Sequence, residues 1–304
     1  MTPRPSRVPS REAPPAPIPS LPTWAVLCFF LSGAAGLIYE IVWSKQLSYL
    51  LGNSLHAVAT VVVFAFSYAF GNSSFYDPYW SVAPLPIALY WAACAPSGLN
   101  RARVGIVILL IAAWGARLTR NWVRGWQGLH HEDWRYIDLK TRTGGAYWAV
   151  SFAGIHMFPT VVVFLGCLAV WSVVGSDRPL GVIDVLAMIV TAGAIWIEAR
   201  ADVELHRFRS ANRQPGAILD AGLWALSRHP NYFGEMSFWW GLWLFGVAAS
   251  PRDFWWTAIG PVTITLMFRL VSLPMMEERM TARRPGYALH AARTPLVIPW
   301  PRRP

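Results

Sequence analysis

Eight apolar runs, separated by short polar segments, occupy most of the chain. They cover residues 23–43, 55–71, 82–97, 103–118, 146–174, 180–198, 236–250 and 254–275. A helix that crosses a bilayer needs about 20 predominantly apolar residues, and the shorter runs reach that length with their aromatic flanks. The pattern predicts an all-α protein, a polytopic membrane bundle of about eight transmembrane helices.

The runs divide the chain into three predicted regions. Residues 1–22 are rich in Pro, Ser and Arg and have no apolar periodicity, which predicts a disordered cytosolic tail. Residues 23–54 are predicted to form an extra N-terminal transmembrane helix. This helix lacks a clear small-residue cleavage site, so a signal peptide is not expected. Residues 55–304 are predicted to form one membrane domain with a core of seven helices.

Composition supports the membrane reading. Hydrophobic residues make up 55% of the chain and charged residues only 14%, whereas about 25% is typical of soluble domains. The 18 Trp and ten Tyr suit interfacial aromatic belts. Cys28, Cys94 and Cys167 all lie in apolar stretches without metal-ligand spacing, so we expect neither a metal site nor a disulfide framework.

The basic residues predict the orientation of the bundle. The net charge of +10 would suggest nucleic acid in a soluble protein, but here the cations lie between apolar runs, and no nucleic acid partner is expected. With the N-terminus in the cytosol and alternating spans, cytosolic segments hold 20 of the 26 Lys and Arg residues. This asymmetry obeys the positive-inside rule, so we expect both termini in the cytosol. Segments 117–146, 198–235 and 276–304 then share one face and are expected to build a site.

The segment 222–235 is the richest in groups able to bind a ligand. Arg228 offers a fork of donors suited to phosphate, and His229 can bind phosphate or a carboxylate. Pro230 is suited to the first position of a helix, whose N-terminal amides would then face an anion. The same segment adds further polar groups at helical spacing: Asn231, Tyr232 and Glu235. The alternative is an interfacial cap whose Arg and His meet lipid headgroups.

Two other polar segments supply fewer candidates. Asp202 has His206 as its i,i+4 neighbour, and either a ribose or amide contact or a solvated ion pair fits its position. Arg200 and Glu204 have the same spacing, which we interpret as a surface ion pair. The basic helix predicted in 277–287 ends at a Pro-Gly turn, and a basic patch at the membrane surface is the alternative for its arginines.

An ordered series of motifs resembles the steroid 5α-reductase family. Ser-Arg-His-Pro-Asn-Tyr-Phe-Gly-Glu at 227–235, with Gly-Leu-Trp before it and Trp-Trp-Gly after it, is similar to the C-terminal domain of that family, especially its bacterial branch. Asn-Ser-Ser-Phe-Tyr-Asp-Pro-Tyr-Trp at 72–80 continues the likeness. Further matching stretches are 117–122, 132–136, 284–287 and 299–300. The resemblance therefore covers about residues 56–300.

The resemblance implies an integral, multi-pass membrane reductase of lipid metabolism, expected in a bacterial inner membrane. NADPH would lie in the cytosolic mouth of the bundle and reduce a C=C bond conjugated to a carbonyl in a steroid-like or lipid-like substrate. Beyond substrate and membrane lipids, no partner is indicated. The residues that the likeness assigns to the cofactor are Arg117, Asn121, Asp202, Asn212, Arg228, His229, Asn231, Tyr232, Glu235 and Tyr287.

The catalytic residues do not carry over as simply. Steroid 5α-reductases use a membrane-embedded Glu and a Tyr to polarise the carbonyl, and that Glu motif is absent here. Tyr76 and Asp77 are the nearest candidates, because a neutral Tyr or a protonated Asp can donate a hydrogen bond to a carbonyl oxygen. The alternative for Asp77 is a helix N-cap before Pro78.

Two other functions remain open. Isoprenylcysteine carboxyl methyltransferases and phospholipid methyltransferases share the Arg-His-Pro-x-Tyr core and use S-adenosylmethionine, so a methyltransferase is one alternative. A non-enzymatic membrane protein or transporter is the second, although transporters usually carry broken helices at mid-membrane. Residues 29–60 resemble the first span of membrane-bound spermidine-synthase-like proteins, and nothing downstream resembles their soluble domain.

Overall fold

The computed structural model describes residues 55–95, 98–211, 214 and 216–302. The predicted tail and the extra N-terminal helix therefore lie outside the described residues. Throughout the described part the regular structure is helical and contains no strand. The prediction of an all-α fold is confirmed.

The first half of the described chain contains one long helix and several shorter ones. They are α1 (Leu55–Ala69), α2 (Asp77–Val82), α3 (Pro84–Cys94), α4 (Arg101–Gly125) and α5 (Trp134–Thr143). The long α4 has an N-cap, because the Asn100 side chain accepts a hydrogen bond from the Arg103 amide at 3.0 Å. Asp133 caps α5 in a similar way, through the Arg135 amide at 2.9 Å.

The middle of the chain forms a helix with a π-helical interruption, followed by the longest helix. The interrupted helix comprises α6 (Tyr147–Val150), the π-helical segment π1 (Ser151–Met157) and α7 (Phe158–Val174), and the longest helix is α8 (Val182–Ala211). Pro159 lies in the first turn of α7 and cannot donate a backbone hydrogen bond. The local widening at π1 suits this missing donor.

The last third repeats this arrangement. It contains α9 (Pro230–Ala249), α10 (Phe254–Thr257), α11 (Ile259–Met267), the π-helical segment π2 (Phe268–Ser272), α12 (Leu273–Arg283) and α13 (Tyr287–Arg293). Helix α9 begins at Pro230, as the sequence predicts. Pro274 follows π2, just as Pro159 follows π1.

Four helical stretches of the described chain are long and apolar enough to cross a membrane. They are Arg101–Gly125, Trp134–Val174, Val182–Ala211 and Pro251–Arg283, and a shorter apolar helix covers Ala59–Ala69. The protein is therefore a polytopic membrane bundle, as predicted. Seven of the eight apolar runs fall on these helices or on α3 and α9, and the number of spans, about eight, stays a prediction.

One end of the bundle, here called the closed end, is sealed by a buried ion pair. Arg103 at the start of α4 is fully buried and donates to both carboxylate oxygens of Asp184 at 2.7 and 2.9 Å. The remaining guanidinium donors bind the Arg178 and Pro179 carbonyl oxygens. A buried charge is tolerated only when it is paired and hydrogen-bonded in this way, so the closed end holds α4 and α8 together.

Close helix contacts through glycine hold the centre. A Cβ atom on Gly260 of α11 would lie 2.3 Å from the Leu165 carbonyl oxygen of α7. One on Gly241 of α9 would lie 2.2 Å from the Thr191 hydroxyl oxygen of α8. Small residues allow helix backbones to approach in membranes, where apolar burial contributes little to association. The contact at Gly241 places the middle of α9 directly against α8.

The opposite end, here called the polar end, gathers the segments that the sequence predicts to share a face. Arg228 in the loop before α9 binds Glu277 of α12, and the Arg228 amide donates to the Pro295 carbonyl oxygen at 2.9 Å. Asn72 donates to the Leu129 carbonyl oxygen at 2.8 Å, which ties the loop after α1 to the loop before α5. All the long polar segments therefore meet at one end of the bundle.

Candidate functional site

A cavity of about 680 Å³ opens at the polar end and extends into the bundle. Its polar wall is contributed mainly by α4, α5, α8 and α9, including Arg117, Asn121, Arg135, Asp202 and Asn231. Its deeper wall is apolar and includes Ile155, Val162, Trp239, Ile264 and Phe268. The volume lies within the range of small-molecule sites, and the two kinds of wall face the same space.

Arg117 is the centre of the polar wall. Its guanidinium binds the carboxylates of Glu198 and Asp202, which lie four residues apart on the same face of α8. Asn121, one turn further along α4, also donates to Asp202. Glu235 of α9 approaches the same guanidinium at 3.8 Å. One cation therefore faces three carboxylates, so this wall is suited to ligand groups that donate hydrogen bonds or carry positive charge.

Glu235 is held in place by two tryptophans. The Trp114 indole N–H donates to its Oε2 at 3.0 Å and the Trp239 indole N–H to its Oε1 at 3.0 Å. Trp114 is fully buried and stacks on Phe238 with ring centroids 4.7 Å apart. Because these rings are fixed by packing, Glu235 is a rigid part of the cavity wall.

A second polar cluster surrounds Glu277 on α12. Its carboxylate accepts hydrogen bonds from Arg228, from His229 Nε2 at 2.7 Å and from the Tyr287 hydroxyl at 2.5 Å. Burial, together with this hydrogen bond to a carboxylate, raises the pKa of the Tyr287 phenol, so it remains a donor. The cluster joins the loop before α9 to α12 and α13.

Tyr232 connects this cluster to the cavity. Its ring lies parallel to that of His229 with centroids 5.4 Å apart, and it contacts the Phe268 ring at 4.9 Å. Tyr232 also lines the cavity, whereas Arg228, His229 and Tyr287 do not line it. A change in the Glu277 cluster can therefore reach the cavity through the stacked Tyr232 side chain.

Asp77 lies at the cavity beside Tyr136 and Arg135. The Tyr136 hydroxyl donates to Asp77 Oδ1 at 2.5 Å, and Arg135 approaches it at 3.7 Å. Burial raises the pKa of Asp77 above its ordinary value of 3.8, and Arg135 and Tyr136 oppose that rise. The carboxylate does not cap a helix N-terminus: Asp77 is the first residue of α2, and Tyr76 occupies the capping position without a side-chain bond.

Tyr76 belongs to a buried polar network in the apolar part of the bundle. Its hydroxyl hydrogen-bonds to the Thr160 hydroxyl at 3.0 Å, and Thr160 donates to the His156 carbonyl oxygen at 2.6 Å. The fully buried His156 ring in π1 lies 5.1 Å from the Tyr76 ring and hydrogen-bonds to the Ser67 hydroxyl at 3.0 Å. Tyr76 is thereby fixed in orientation at the cavity wall.

Several buried atoms in these clusters have no hydrogen-bond partner in the described part of the chain. They are Arg117 Nε, Glu198 Oε1, Asn231 Oδ1 and Arg228 Nε. The first three belong to residues that line the cavity. Leaving a buried polar atom without a hydrogen bond costs about 1–3 kcal/mol of folding free energy. A polar ligand that hydrogen-bonds to these atoms would relieve this cost and bind more tightly.

The cavity brings together most of the residues that the sequence singles out. It is lined by Tyr76, Asp77, Arg117, Asn121, Asp202, Asn231, Tyr232 and Glu235. Arg228, His229 and Tyr287 stand one layer behind it in the Glu277 cluster. Asn212 lies outside the described residues. The predicted surface ion pair of Arg200 and Glu204 is present at 2.8 Å, and Glu204 also accepts from the Leu223 amide at 2.9 Å.

Sequence reasoning missed two carboxylates that organise the site. Glu198 is almost fully buried on α8 and binds Arg117. It ends a predicted apolar run. An acidic residue in a membrane-spanning run is energetically costly, and its presence there indicates a functional site. It also lies four residues before Asp202, which is a signal of a shared helix face. Glu277 gave no comparable signal, because its partners are distant in sequence.

Comparisons with known proteins place the chain without naming an activity. A family profile described as "Protein of unknown function (DUF1295)" matches residues 63–294. An uncharacterized protein of Schizosaccharomyces pombe is 25% identical over 268 residues, which cover 80% of this chain and 75% of that protein. No solved structure matches the chain.

Proposed function

The chain belongs to the DUF1295 family, and from this premise and the geometry of the cavity we propose that it is an NADPH-dependent membrane reductase. Its substrate would be a hydrophobic, steroid-like or lipid-like molecule with a C=C bond conjugated to a carbonyl. The family is associated with steroid 5α-reductase-like proteins. The motifs at 72–80 and 227–235 also resemble those of steroid 5α-reductases and support the assignment as a reductase.

The cavity itself is the observation that carries the proposal. A carboxylate-rich and amide-rich wall and an apolar wall enclose one space of about 680 Å³. A reductase that joins a polar cofactor to an apolar acceptor requires both walls in one site. When bound, NADPH supplies a hydride, and the residues of the chain bind it, orient it and exclude water.

The unpaired atoms of the polar wall fit the uncharged part of this cofactor. Asn231 Oδ1 and Glu198 Oε1 are acceptors without partners, and Arg117 Nε is a donor without one. A nicotinamide amide and ribose hydroxyls offer donors and acceptors of both kinds. Because three carboxylates surround Arg117, this part of the wall disfavours phosphate.

Phosphate groups would be held nearer the mouth. Arg135 and Arg142 of α5 line the cavity, and their side chains are 40% and 63% exposed. Both guanidiniums therefore have room to turn toward an anion. Arg135 and Arg142 have aspartate neighbours in Asp133 and Asp138, which orient the side chains without covering them.

Asp77, Tyr136 and Tyr76 are suited to polarise the carbonyl of the acceptor. The raised pKa of Asp77 means that its carboxyl holds a proton to higher pH than an exposed aspartate does. Tyr136 donates to that carboxyl at 2.5 Å. A donor beside the cavity stabilises negative charge that develops on a carbonyl oxygen, so this group is assigned the acid role.

Transfer of label from the cofactor tests the proposal. Membranes that contain the protein would be incubated with NADPH tritiated at C4 of the nicotinamide, and the extracted lipids would be counted. We expect tritium in a lipid product, reduced at least tenfold by Asn231→Leu and unchanged by Gln127→Leu, an exposed position. The membranes would be supplied with bacterial lipids and with steroids that carry a conjugated C=C bond. Absence of tritium from all of these lipids would contradict the proposal that the protein is a reductase.

A methyltransferase remains the second candidate, because one observation favours it. The wall of Glu198, Asp202 and Glu235 carries more negative charge than Arg117 compensates. S-adenosylmethionine is cationic at its sulfonium and its ammonium group, and both would be attracted by such a wall. Incorporation of methyl label into lipids, with no tritium from NADPH, would decide for this alternative.

A further inference from the structure

At the depth of the apolar wall, two neighbouring helices contribute residues that line the cavity and also reach the outer surface of the bundle. This part of the wall is here called the window. One side of the window is the helix that carries π1, and the other is the helix that carries π2. Residues of both helices line the cavity at helical spacing: Val150, Gly154 and Phe158, and Met267, Val271 and Met275. Phe158 and Val271 are 47% and 50% exposed although both line the cavity, so each has one surface on the cavity and another on the outside of the bundle.

Contacts above and below define the limits of the window. Toward the polar end, the Arg279 guanidinium of α12 lies over the Trp134 ring of α5 at 3.7 Å, which ties the helix that carries π2 to the helix that precedes the π1 helix. Toward the closed end, α7 and α11 meet at Gly260, where a Cβ atom would lie 2.3 Å from the Leu165 carbonyl oxygen. Between these contacts the two helices carry π1 and π2, and the extra residue of a π-turn changes the direction in which the following side chains point.

We infer that this window is the entrance through which a lipid-like substrate passes sideways from the bilayer into the cavity. The inference deepens the proposed function and rests on it for the identity of the substrate. The rim is apolar, and the exposed surface of Phe158 and Val271 lies on helices long enough to cross the membrane. An apolar molecule that entered through the polar mouth would have to pass Arg135, Arg142 and Asp138 in water.

The dimensions of the rim restrict the substrate class. Val150 and Phe158 are eight residues apart, which corresponds to roughly 12 Å along the helix. Ser272, next to Val271 on the rim, lines the cavity, and so do the uncharged Tyr136 and the protonatable Asp77. The window therefore suits a single slender apolar body with one uncharged oxygen at its leading end, rather than a two-chain phospholipid with a charged headgroup.

Gly154 offers a direct way to close the window. A Cβ atom at this position meets nothing within 4 Å, so a larger side chain would fill the opening without displacing a neighbour. Gly105 on α4 is an equally open position that is exposed and does not line the cavity. Gly154→Phe is therefore the test variant and Gly105→Phe its matched control.

Photolabelling from the bilayer tests the window. The full chain would be reconstituted in phosphatidylcholine vesicles with a diazirine analogue of cholest-4-en-3-one, irradiated, and mapped by mass spectrometry. We expect label on the buried cavity residues Trp239 or Ile264 in the wild type, at least fivefold less in Gly154→Phe, and wild-type levels in Gly105→Phe. Equal labelling of the cavity in Gly154→Phe, or no label in the wild-type cavity, would overturn the inference.

Two further measurements separate this inference from the proposed function. Val271→Trp narrows the opening from the other side and replaces Gly154→Phe if that variant does not fold. NADPH affinity should change less than twofold in either variant, since both lie away from the polar wall. If NADPH does not bind the wild type while labelling still depends on Gly154, the window stands and the proposed cofactor is wrong.

Discussion

At the scale of single residues, the site depends on carboxylates that each serve several partners. Glu198 and Asp202 share Arg117, Glu235 is held by two indoles, and Glu277 is shared by three side chains. Residue identities on the cavity wall were predictable from the sequence where they fall in the polar motifs. Glu198 could have been assigned from its place in an apolar run four residues before Asp202, whereas Glu277 could not, because its role depends on a partner 49 residues away.

Glu277 gives a prediction about cofactor binding. Glu277→Gln keeps the size of the side chain but removes the charge that orients Arg228 and His229. Since Tyr232 stacks on His229 and lines the cavity, we expect NADPH affinity to fall about tenfold, equivalent to about 1.4 kcal/mol. Tryptophan fluorescence quenching by NADPH would measure it. Asp220→Asn, at an exposed ion pair with Arg302, should bind NADPH normally, and an equal loss in both variants would refute this role.

Asp77 gives a prediction about pH. Its pKa is raised in the folded protein, chiefly by burial, so the unfolded chain loses this proton first as the pH rises above 3.8. The folded state then binds more protons than the unfolded state, and the free energy of unfolding falls as the pH rises toward the folded-state pKa. Asparagine at position 77 cannot titrate. In Asp77→Asn, this part of the fall in the free energy of unfolding with rising pH should therefore be absent.

Thermal unfolding in detergent at about pH 4 and about pH 7 would measure the difference. The wild type should lose stability relative to Asp77→Asn over that interval. Identical pH dependence in the two proteins would show that Asp77 has an ordinary pKa in the fold.

At the scale of elements, the apolar runs were sufficient to locate the long helices, whereas α5 lies in a segment that was predicted only to be polar. The apolar runs at 103–118, 146–174 and 180–198 correspond to α4, to α6 through α7, and to α8. The start of α9 followed from Pro230, since its missing N–H is harmless only in the first turn. The π-helical segments and the glycine contacts were not predictable, because they depend on which helices become neighbours.

The contact between α8 and α9 is expected to be sensitive to one methyl group. A Cβ atom on Gly241 would lie 2.2 Å from the Thr191 hydroxyl oxygen, whereas one on Gly193 of α8 meets nothing within 4 Å. Gly241→Ala should therefore destabilise the protein by about 1–3 kcal/mol through overpacking. Gly193→Ala should be neutral or slightly stabilising, since alanine favours a helix.

Unfolding in detergent, followed by size-exclusion fluorescence, would rank the two variants against the wild type. Equal stability of Gly241→Ala and Gly193→Ala would mean that α8 and α9 are not in close contact. The same result would also argue against the placement of Glu198 and Glu235 at one Arg117, because that placement requires α8 and α9 to be neighbours.

At the scale of the whole molecule, the distribution of charge predicted which segments meet. The long polar segments do gather at one end, while Arg103 and Asp184 seal the other. The sequence did not predict the cavity that lies between the polar end and the closed end. The cavity and its window arise from the relative positions of α5, π1, α9 and π2, which no local pattern encodes.

The positive-inside rule makes a prediction about orientation. A fluorescent protein that folds only in the cytosol should be active when fused after residue 302, at the polar end. Alkaline phosphatase, which is active only outside the cytosol, should be active when inserted at Asp177, between α7 and α8 at the closed end. The reverse pattern would place the cavity mouth away from the cytosolic NADPH pool and would contradict the proposed cofactor.

The proposed reductase requires that the polar wall of the cavity bind NADPH. The most direct measurement is a titration of the full-length protein in detergent with NADPH, NADH and S-adenosylmethionine, by isothermal calorimetry. We expect micromolar binding of NADPH, much weaker binding of the other two, and loss of NADPH binding in Asn231→Leu. Micromolar binding of S-adenosylmethionine with no binding of NADPH would contradict it.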